Sequence, residues 1–264
     1  MWRERIDELR SAVPAEDIWH RPRGTESLLD LDPELGTLIR GERVQRATRD
    51  LQVQLHALTR GDLDPAALLT RSAADIGVLI VSGIVMRQAD IHGEPSGELL
   101  GPGDLIRPAP DEAPSAGFEG DTKWLALRPL QVVPIGTPVT VTLCRYPEVL
   151  ITLLERIEAR ARRLTVSQGI SQLTGVDLRL ETLLWHLAER WGKVTPGGVI
   201  LSLDLSHRIL GILIGARRPT VSTAAALLAA QGRVSRLADG TWFLPNAESE
   251  RVSARRPFTV ASAG

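Results

Sequence analysis

Basic and hydroxyl side chains lie close together in the last third of the chain. Arginine can read guanine through two hydrogen bonds, and hydroxyl groups reach base edges and phosphates. The candidate base-contacting set is Arg217, Arg218, Thr220, Ser222 and Thr223. Upstream, a helix that begins with Ser206, His207 and Arg208 could hold a phosphate on its free N–H groups. This chemistry predicts double-stranded DNA as a partner.

The glycines around these residues predict a helix-turn-helix. Gly215 would supply the positive φ of the turn, and Gly211 would allow the two helices to cross at close range. The two helices are expected over 206–214 and 219–231, with Val221 buried between them. Further apolar side chains are expected in the core beneath them: Leu210, Leu213, Ile214, Leu227 and Leu228.

Two flanking elements extend this motif to a predicted winged helix-turn-helix. An amphipathic helix is expected over 177–191, and Asp239-Gly240 predicts a hairpin between strands at 234–237 and 241–244. In such motifs the N-terminal residues of the second helix enter the major groove. Glycine spacing alone would also fit a small helical domain with solvated arginines. The basic helix end and the hairpin favour the DNA-binding interpretation.

A long helix is predicted before this region, over 147–171. Its apolar positions recur at alternating steps of four and three, which is the heptad pattern of a coiled-coil seam. The candidate dimer interface is Leu150, Leu154, Ile157, Ala161 and Leu164. The pattern predicts a homodimer, and the alternative is a helix that packs on its own domain.

The first half of the chain predicts a small β-sandwich, barrel or roll. Residues 51–57 alternate apolar and polar, and 77–86 reads as two strands with a tight turn at Ser82-Gly83. Further strands are expected at 124–127 and 139–143. Before them, Asp32-Pro33-Glu34 is expected to begin a helix, because Asp32 can act as the cap and Pro33 suits the first position.

Composition excludes several classes of site. The single cysteine, Cys144, excludes a disulfide framework, and no two of the five histidines are spaced as metal ligands on a helix. We therefore expect no metal site, no catalytic residues and no enzyme activity. No apolar run approaches the length of a membrane span of about 18 residues, so a cytoplasmic protein is predicted. The net charge is −1, but residues 177–264 hold 11 Lys+Arg against 7 Asp+Glu.

Three segments resemble the Crp/Fnr family of bacterial transcription regulators. The run Leu205–Ser222 (LSHRILGILIGARRPTVS) resembles the helix-turn-helix of that family. Val78–Val85 (VLIVSGIV) resembles a strand pair of its cyclic-nucleotide-binding-like β-roll, and Gly101–Ile106 (GPGDLI) resembles a turn of that roll. The heptad helix stands where the family has its dimer helix. The resemblance covers about residues 45–245.

The resemblance implies an α+β fold: an N-terminal cyclic-nucleotide-binding-like β-roll, a long dimerisation helix and a C-terminal winged helix-turn-helix. It implies a homodimer on a two-fold-related DNA site, with RNA polymerase as a further candidate partner. Arg217 would be the N-cap of the recognition helix and Arg218 its base reader. Pro219 replaces the usual glutamate, and Thr223 stands where many members have a second arginine. We therefore expect a different half-site from that of the best-known members.

The predicted division of the chain follows from these assignments. It comprises a helical extension (1–45), the β-roll (46–146), the dimer helix (147–175), the winged helix-turn-helix (176–246) and a flexible tail (247–264).

The effector region departs from the family pattern. Members that bind cyclic AMP have a G-E-L segment after the turn and an arginine that pairs with the phosphate. Here the turn is followed by R-P-A-P-D-E at 107–112, and D-T-K-W stands at 121–124. The candidate pocket is Leu105, Arg107, Lys123 and Trp124. We expect no cyclic nucleotide and no cofactor, so the effector is another small molecule or none. The alternative function is a metabolite- or protein-interaction module whose winged helix contacts protein.

Overall fold

The computed structural model describes residues 19–20, 24–70, 72–107 and 122–245. The chain divides into two compact units, residues 1–164 and 165–264. The predicted tail at 247–264 lies outside the described residues.

The first unit contains most of the strands. They are β1 (Trp19–His20), β2 (Thr25–Ser27), β3 (Gln52–Gln54), β4 (His56–Leu58), β5 (Gly61–Leu63), β6 (Gly77–Ser82), β7 (Val85–Ile91), β8 (Glu94–Leu100), β9 (Leu105–Ile106), β10 (Thr122–Ala126) and β11 (Leu130–Ile135). Its helices are α1 (Leu28–Leu31), α2 (Arg43–Asp50), α3 (Thr137–Leu143) and α4 (Pro147–Ser171), with short 3₁₀ helices at Pro33–Gly36 and Pro65–Leu68. Helix α4 continues into the second unit.

Two antiparallel sheets form the β-roll. Their strand orders are β1-β4-β11-β6-β9 and β5-β10-β7-β8, and β2 pairs separately with β3. Apolar side chains from both sheets form one buried cluster: Leu58, Leu63, Val78, Ile80, Val85, Leu100, Ile106, Ala126, Leu130 and Val132. The interior of the roll is therefore packed with side chains.

The predicted turn at Ser82-Gly83 is confirmed, and it moves the chain from one sheet to the other. Strand β6 belongs to the first sheet and β7 to the second. Gly83 has φ +94°, and a Cβ there would lie 2.5 Å from the carbonyl oxygen of Pro129. Only glycine fits this position, because both the backbone angle and the space exclude a side chain.

The strand predicted at 139–143 is wrong, because these residues belong to helix α3. Gly136 is its N-cap and Pro138 occupies the first turn, where proline is favourable. The Thr140 amide donates to the Gly136 carbonyl at 3.0 Å, and the Thr140 hydroxyl donates to the same oxygen at 3.1 Å. The Asp75 carboxylate accepts from the Thr137 amide at 2.8 Å at the start of the helix, and Leu143 is buried near its end. These contacts outweigh the strand preference of the β-branched residues. The strand that precedes it, β11, was not predicted.

Residues 24–45, the described part of the predicted N-terminal extension, are part of the core of the first unit. Leu28, Leu35 and Ile39 are buried in one cluster with Leu79 and Val133 of the first sheet. The predicted boundary at residue 45 falls within helix α2.

The helix expected to begin at Asp32 is only the 3₁₀ helix Pro33–Gly36, and the Asp32 side chain does not cap it. The Asp32 carboxylate instead accepts hydrogen bonds from Arg156 of helix α4. The Asp32 carboxylate, which local sequence signals predicted to be a helix cap, therefore forms a tertiary ion pair instead.

The long helix α4 covers the predicted range, Pro147–Ser171. Val149 and Leu153 are buried, and Leu150 packs partly against the same cluster. Leu154, Ile157 and Leu164 are 64%, 47% and 42% exposed. Ala161 is exposed as well. In the single chain, four of the five heptad positions therefore lie at the surface.

In its described part, residues 165–245, the second unit combines three further helices with a four-stranded sheet. The helices are α5 (Val176–Trp191), α6 (His207–Ile214) and α7 (Arg218–Ala230), and the strands are β12 (Gly192–Thr195), β13 (Gly198–Leu201), β14 (Ser235–Arg236) and β15 (Trp242–Pro245). The sheet order is β12-β13-β15-β14. The hairpin β12–β13 was not predicted. No helix in the described ranges has the length and apolar character needed to cross a bilayer.

Candidate nucleic-acid interface

The predicted helix-turn-helix is present, and its local signals act as expected. Ser206 caps α6, because its hydroxyl oxygen accepts from the Ile209 amide at 3.3 Å. The helix ends at Gly215, which has φ +65° and ψ +45°, the left-handed conformation expected of a turn glycine. The Ala216 amide closes the turn on the Gly211 carbonyl at 2.9 Å. The turn that separates the two helices is thus fixed by hydrogen bonds within the motif.

Gly211 is needed for a slightly different reason from the one expected. A Cβ at this position would clash with the carbonyl oxygen of Ala216, whereas the side chain of Val221 would be at an ordinary distance of 3.6 Å. The missing side chain therefore makes room for the backbone of the turn. Contact with the second helix is the lesser constraint.

Most of the predicted core of the motif is confirmed. Val221 and Leu228 of α7 are fully buried, as are Leu210 and Ile214 of α6. Leu227 was predicted wrongly, because it is 46% exposed. Positions 221, 224 and 228 form the inward face of the helix, and residue 227 points about 100° away from residue 228.

All five candidate base-contacting side chains are exposed at the N-terminal end of α7: Arg217, Arg218, Thr220, Ser222 and Thr223. Arg217 is the N-cap residue, Arg218 begins the helix and Pro219 lies in its first turn. The Thr223 hydroxyl donates to the Pro219 carbonyl at 3.2 Å, so its proton is already used within the helix. Because Val221, Ala224 and Leu228 of α7 are buried, the candidate side chains on the opposite side of the helix point outward.

The second candidate group lies at the start of α6. Ser206 and Arg208 are exposed, and His207 is half-buried. Burial lowers the pKa of His207, and the positive charges of Arg236 and Arg218 lower it further. The imidazole ring lies 6.2 Å from the Trp242 ring. Burial and the neighbouring arginines thus both favour the neutral form of His207.

Arg236 is a basic residue of this environment that the sequence reasoning missed. It lies in strand β14, and its guanidinium group is 5.7 Å from the centre of the Trp242 ring. Its Nη2 donates to the Asp204 carboxylate at 3.0 Å. The available signal was its position three residues before Asp239-Gly240, in the arm of the predicted hairpin.

The predicted wing is confirmed as the hairpin β14–β15. The Leu237 amide donates to the Thr241 carbonyl at 2.8 Å, and Gly240 has φ +84°. Asp239 accepts from the Thr241 hydroxyl at 2.7 Å and from its amide at 2.9 Å. These bonds lower the pKa of Asp239. The turn is thus held by its own side chains.

Two arginines tie the helices of the second unit together. Arg179 of α5 donates to the Leu173 carbonyl at 2.7 Å and to the Ile214 carbonyl at 3.3 Å, next to the turn. Arg233 forms an ion pair with Glu181, a carboxylate buried on α5. These contacts fix the turn and the end of the second helix against α5.

The four candidate effector residues are not brought into one pocket. Leu105 is buried in the cluster formed with the N-terminal helices, whereas Trp124 packs against the cluster between the sheets. Arg107 and Lys123 are exposed. The side chains of Leu105 and Trp124 face different clusters because Leu105 and Ile106 alternate across their strand. Among the described residues, no group of three or more His, Cys, Asp or Glu is placed to hold a metal ion.

Comparison with solved structures identifies the fold. The chain resembles a CooA mutant from Carboxydothermus hydrogenoformans with a TM-score of 0.59 and 15% identity, over 88% of this chain and 97% of that one. It resembles a cyclic nucleotide-binding domain containing protein from Listeria monocytogenes with a TM-score of 0.59 and 16% identity, over 81% and 96%.

A third similar structure is a CRP/FNR-family transcriptional regulator from Thermus thermophilus. The TM-score is 0.50 and the identity 17%, over 76% of this chain and 98% of that one. No protein-family model matches the sequence, and no curated protein gives a significant match. The chain therefore has the fold of these regulators, a β-roll followed by a long helix and a C-terminal winged helix-turn-helix.

Proposed function

We propose that this protein is a DNA-binding transcription regulator that acts as a homodimer on a two-fold-related site. The observation that carries the proposal is the exposed N-terminal end of α7. Its arginine and hydroxyl side chains project from a helix whose opposite face is fully buried. Such an end can enter the major groove and read base edges. Its place of action would be the cytoplasm, the compartment of bacterial DNA.

The dimer is proposed from the exposed heptad stripe of α4. Apolar side chains spaced along one face of a 25-residue helix favour pairing with a second copy of that helix. Pairing through α4 would relate two copies of α7 by a two-fold axis. The recognition helices of such dimers enter the major groove one helical turn apart, about 34 Å.

The effector domain is proposed to bind no cyclic nucleotide. The packed cluster between the sheets supports this, as does the separation of Leu105 from Trp124. The proposed effector is a small molecule of another kind, or there is none.

A protein-contacting winged helix is the second candidate function. Exposed apolar side chains in the second unit favour it: Val194 is 79% exposed and Leu227 is 46% exposed. Single apolar groups of this kind are common on surfaces that bind nothing, so the basic helix end outweighs them.

The test is selection from a random double-stranded DNA pool with the full-length protein and no added ligand. Enrichment of a palindrome with half-sites about one helical turn apart supports the proposal. Failure of the folded, dimeric protein to enrich any sequence contradicts effector-independent DNA binding. A repeat with a cell extract added as a source of small molecules then separates an effector-dependent regulator from a protein-contacting module.

A further inference from the structure

Three arginines lie along one face of helix α4, at steps of four and three. Each binds a carboxylate elsewhere in the first unit. Together they form what we call the arginine ladder: Arg156 with Asp32, Arg160 with Glu98, and Arg163 with Asp104. Steps of four and three place residues on one face of an α-helix, so all three arginines point toward the same side of the unit.

Of the three ion pairs of the ladder, which we call its rungs, the first two each have a second hydrogen bond. Arg156 binds Asp32 through two bonds, Nη1 to Oδ2 at 2.5 Å and Nη2 to Oδ1 at 2.8 Å. Arg160 forms an ion pair with Glu98 and also donates to the Leu105 carbonyl at 3.0 Å. Each of these arginines thus has two defined bonds, which fix the direction of its guanidinium plane.

The third ion pair of the ladder, Arg163 with Asp104, lies at the turn of the roll that begins at Gly101. Arg163 Nη2 lies 2.6 Å from Asp104 Oδ1, and the other Asp104 oxygen accepts from the Gly101 amide at 2.9 Å. The Asp104 carboxylate therefore connects helix α4 to the backbone of this turn.

The carboxylates of the ladder are largely shielded from water. The side chains of Asp104, Glu98 and Asp32 are 3%, 11% and 11% exposed. Removing charges from water costs free energy, and replacing a buried ion pair with apolar residues is often neutral or stabilising. What a set of buried ion pairs adds is a unique geometry. A rotation of α4 by one residue, about 100°, would break all three rungs at once.

The heptad stripe lies beside the ladder on the same helix. Leu154, Ile157 and Leu164 are each within two residues of a ladder arginine, and they are exposed. Because a helix is rigid about its axis, the ladder and this apolar stripe cannot rotate independently. The rung geometry therefore sets the direction in which the stripe points.

We infer that the arginine ladder positions the dimer helix: it fixes the rotation of α4 on the β-roll, so that the heptad stripe faces a second copy of the chain without any ligand in the roll. Arg156, Arg160 and Arg163 are positioning residues that touch neither the second copy nor DNA. The inference rests on the proposed function, since it takes the stripe as the dimer seam.

Cysteine cross-linking of the full-length protein tests this rotation. In a Cys144→Ser background, Ile157→Cys places a thiol on the stripe, and Glu155→Cys places one about 160° away around the helix axis. With copper phenanthroline as oxidant, position 157 should cross-link about tenfold faster than position 155, because only the seam brings two copies close together. Adding Arg160→Gln and Arg163→Gln should reduce this ratio to about threefold or less.

The matched control is Arg162→Gln, because Arg162 pairs with Glu158 at the exposed surface of the same helix. It should leave the ratio unchanged. An unchanged ratio in the folded Arg160→Gln/Arg163→Gln protein overturns the inference. If that protein does not fold, the charge swap decides: Arg156→Asp should reduce the ratio and Arg156→Asp/Asp32→Arg should restore it. If the Arg156→Asp/Asp32→Arg variant does not restore the cross-linking ratio, the inference is also overturned.

The outcome separates this inference from the proposed function. Equal cross-linking at 155 and 157 in the otherwise unchanged protein contradicts the seam, and the inference fails with it. Preferred cross-linking at 157 with the expected variant effects supports the ladder, even if DNA selection finds no site. DNA binding by the unaltered protein with no variant effect on cross-linking overturns the ladder alone.

Discussion

Helices α4 and α7 both carry arginines, but the surroundings of these arginines are opposite. On α4, Arg156 lies against a shielded carboxylate with which it forms two bonds. At the start of α7, Arg217 and Arg218 are exposed, with hydroxyl residues beside them. An arginine whose charge is already matched contributes to the fold, whereas exposed positive charges in a cluster can still bind an anion. The same residue type thus has a structural role in one helix and a proposed DNA-binding role in the other.

The largest effect that this comparison predicts is on DNA affinity. Replacing Arg217 and Arg218 with alanine should cost about 2–4 kcal/mol of binding free energy, since each good arginine–guanine pair contributes about 1–3 kcal/mol. Titration of a selected palindromic duplex at fixed salt measures the change. The matched control is Arg40→Ala/Arg60→Ala, which removes two exposed arginines of the first unit. Equal losses in both variants would show that only general charge attraction is involved.

The next effect is on stability, and it should appear at the shielded arginine pair of α4 but not at an exposed pair of the same helix. Arg156→Ala leaves the shielded Asp32 carboxylate without its partner and should lower the free energy of unfolding by about 2–3 kcal/mol. Arg162→Ala removes an exposed pair and should change it by less than about 0.5 kcal/mol. Urea unfolding of both variants measures the difference. Similar stabilities would mean that the Asp32 pair is no stronger than a surface pair.

Glycines in the two helical regions should also respond in opposite directions. Gly211→Ala would place a Cβ against the Ala216 carbonyl and should destabilise the second unit by about 2 kcal/mol. Nothing lies within 4 Å of a Cβ at Gly169 of α4. Gly169→Ala should therefore stabilise the protein by about 0.5–1 kcal/mol through lower entropy of the unfolded chain. Thermal unfolding of the two single variants checks both signs.

The smallest effect is a pH dependence in each unit. Burial lowers the pKa of His207 in the second unit and of His56 in the first, below the ordinary value of 6.5. The unfolded chain therefore takes up protons at higher pH than the folded chain, and stability falls as the pH drops through about 6.5. His207→Gln and His56→Gln should each reduce part of this decline. Unfolding measured at about pH 7.5 and pH 5.5 tests it, and a steeper decline in either variant would contradict it.

Local signals in the sequence determined the helix-turn-helix, its wing and the long helix. A cap at Ser206, a left-handed glycine at 215 and an Asp-Gly turn at 239 act over a few residues, so tertiary contacts do not need to be known. The heptad spacing likewise predicted where α4 begins and ends. The exposure of the candidate base-contacting side chains followed from the period of α7.

Only the tertiary structure decided the features that depend on distant partners. Helix α3 replaces a predicted strand because the distant Asp75 carboxylate binds the Thr137 amide at its start and Leu143 is buried near its end. Asp32 pairs with Arg156, which is 124 residues away, instead of capping a helix. Residues 24–45 enter the core because the sheets leave apolar surface for them to cover. Spacing along the chain fixes each local element, but the choice of partner for a charge or an apolar side chain depends on which elements the fold brings together.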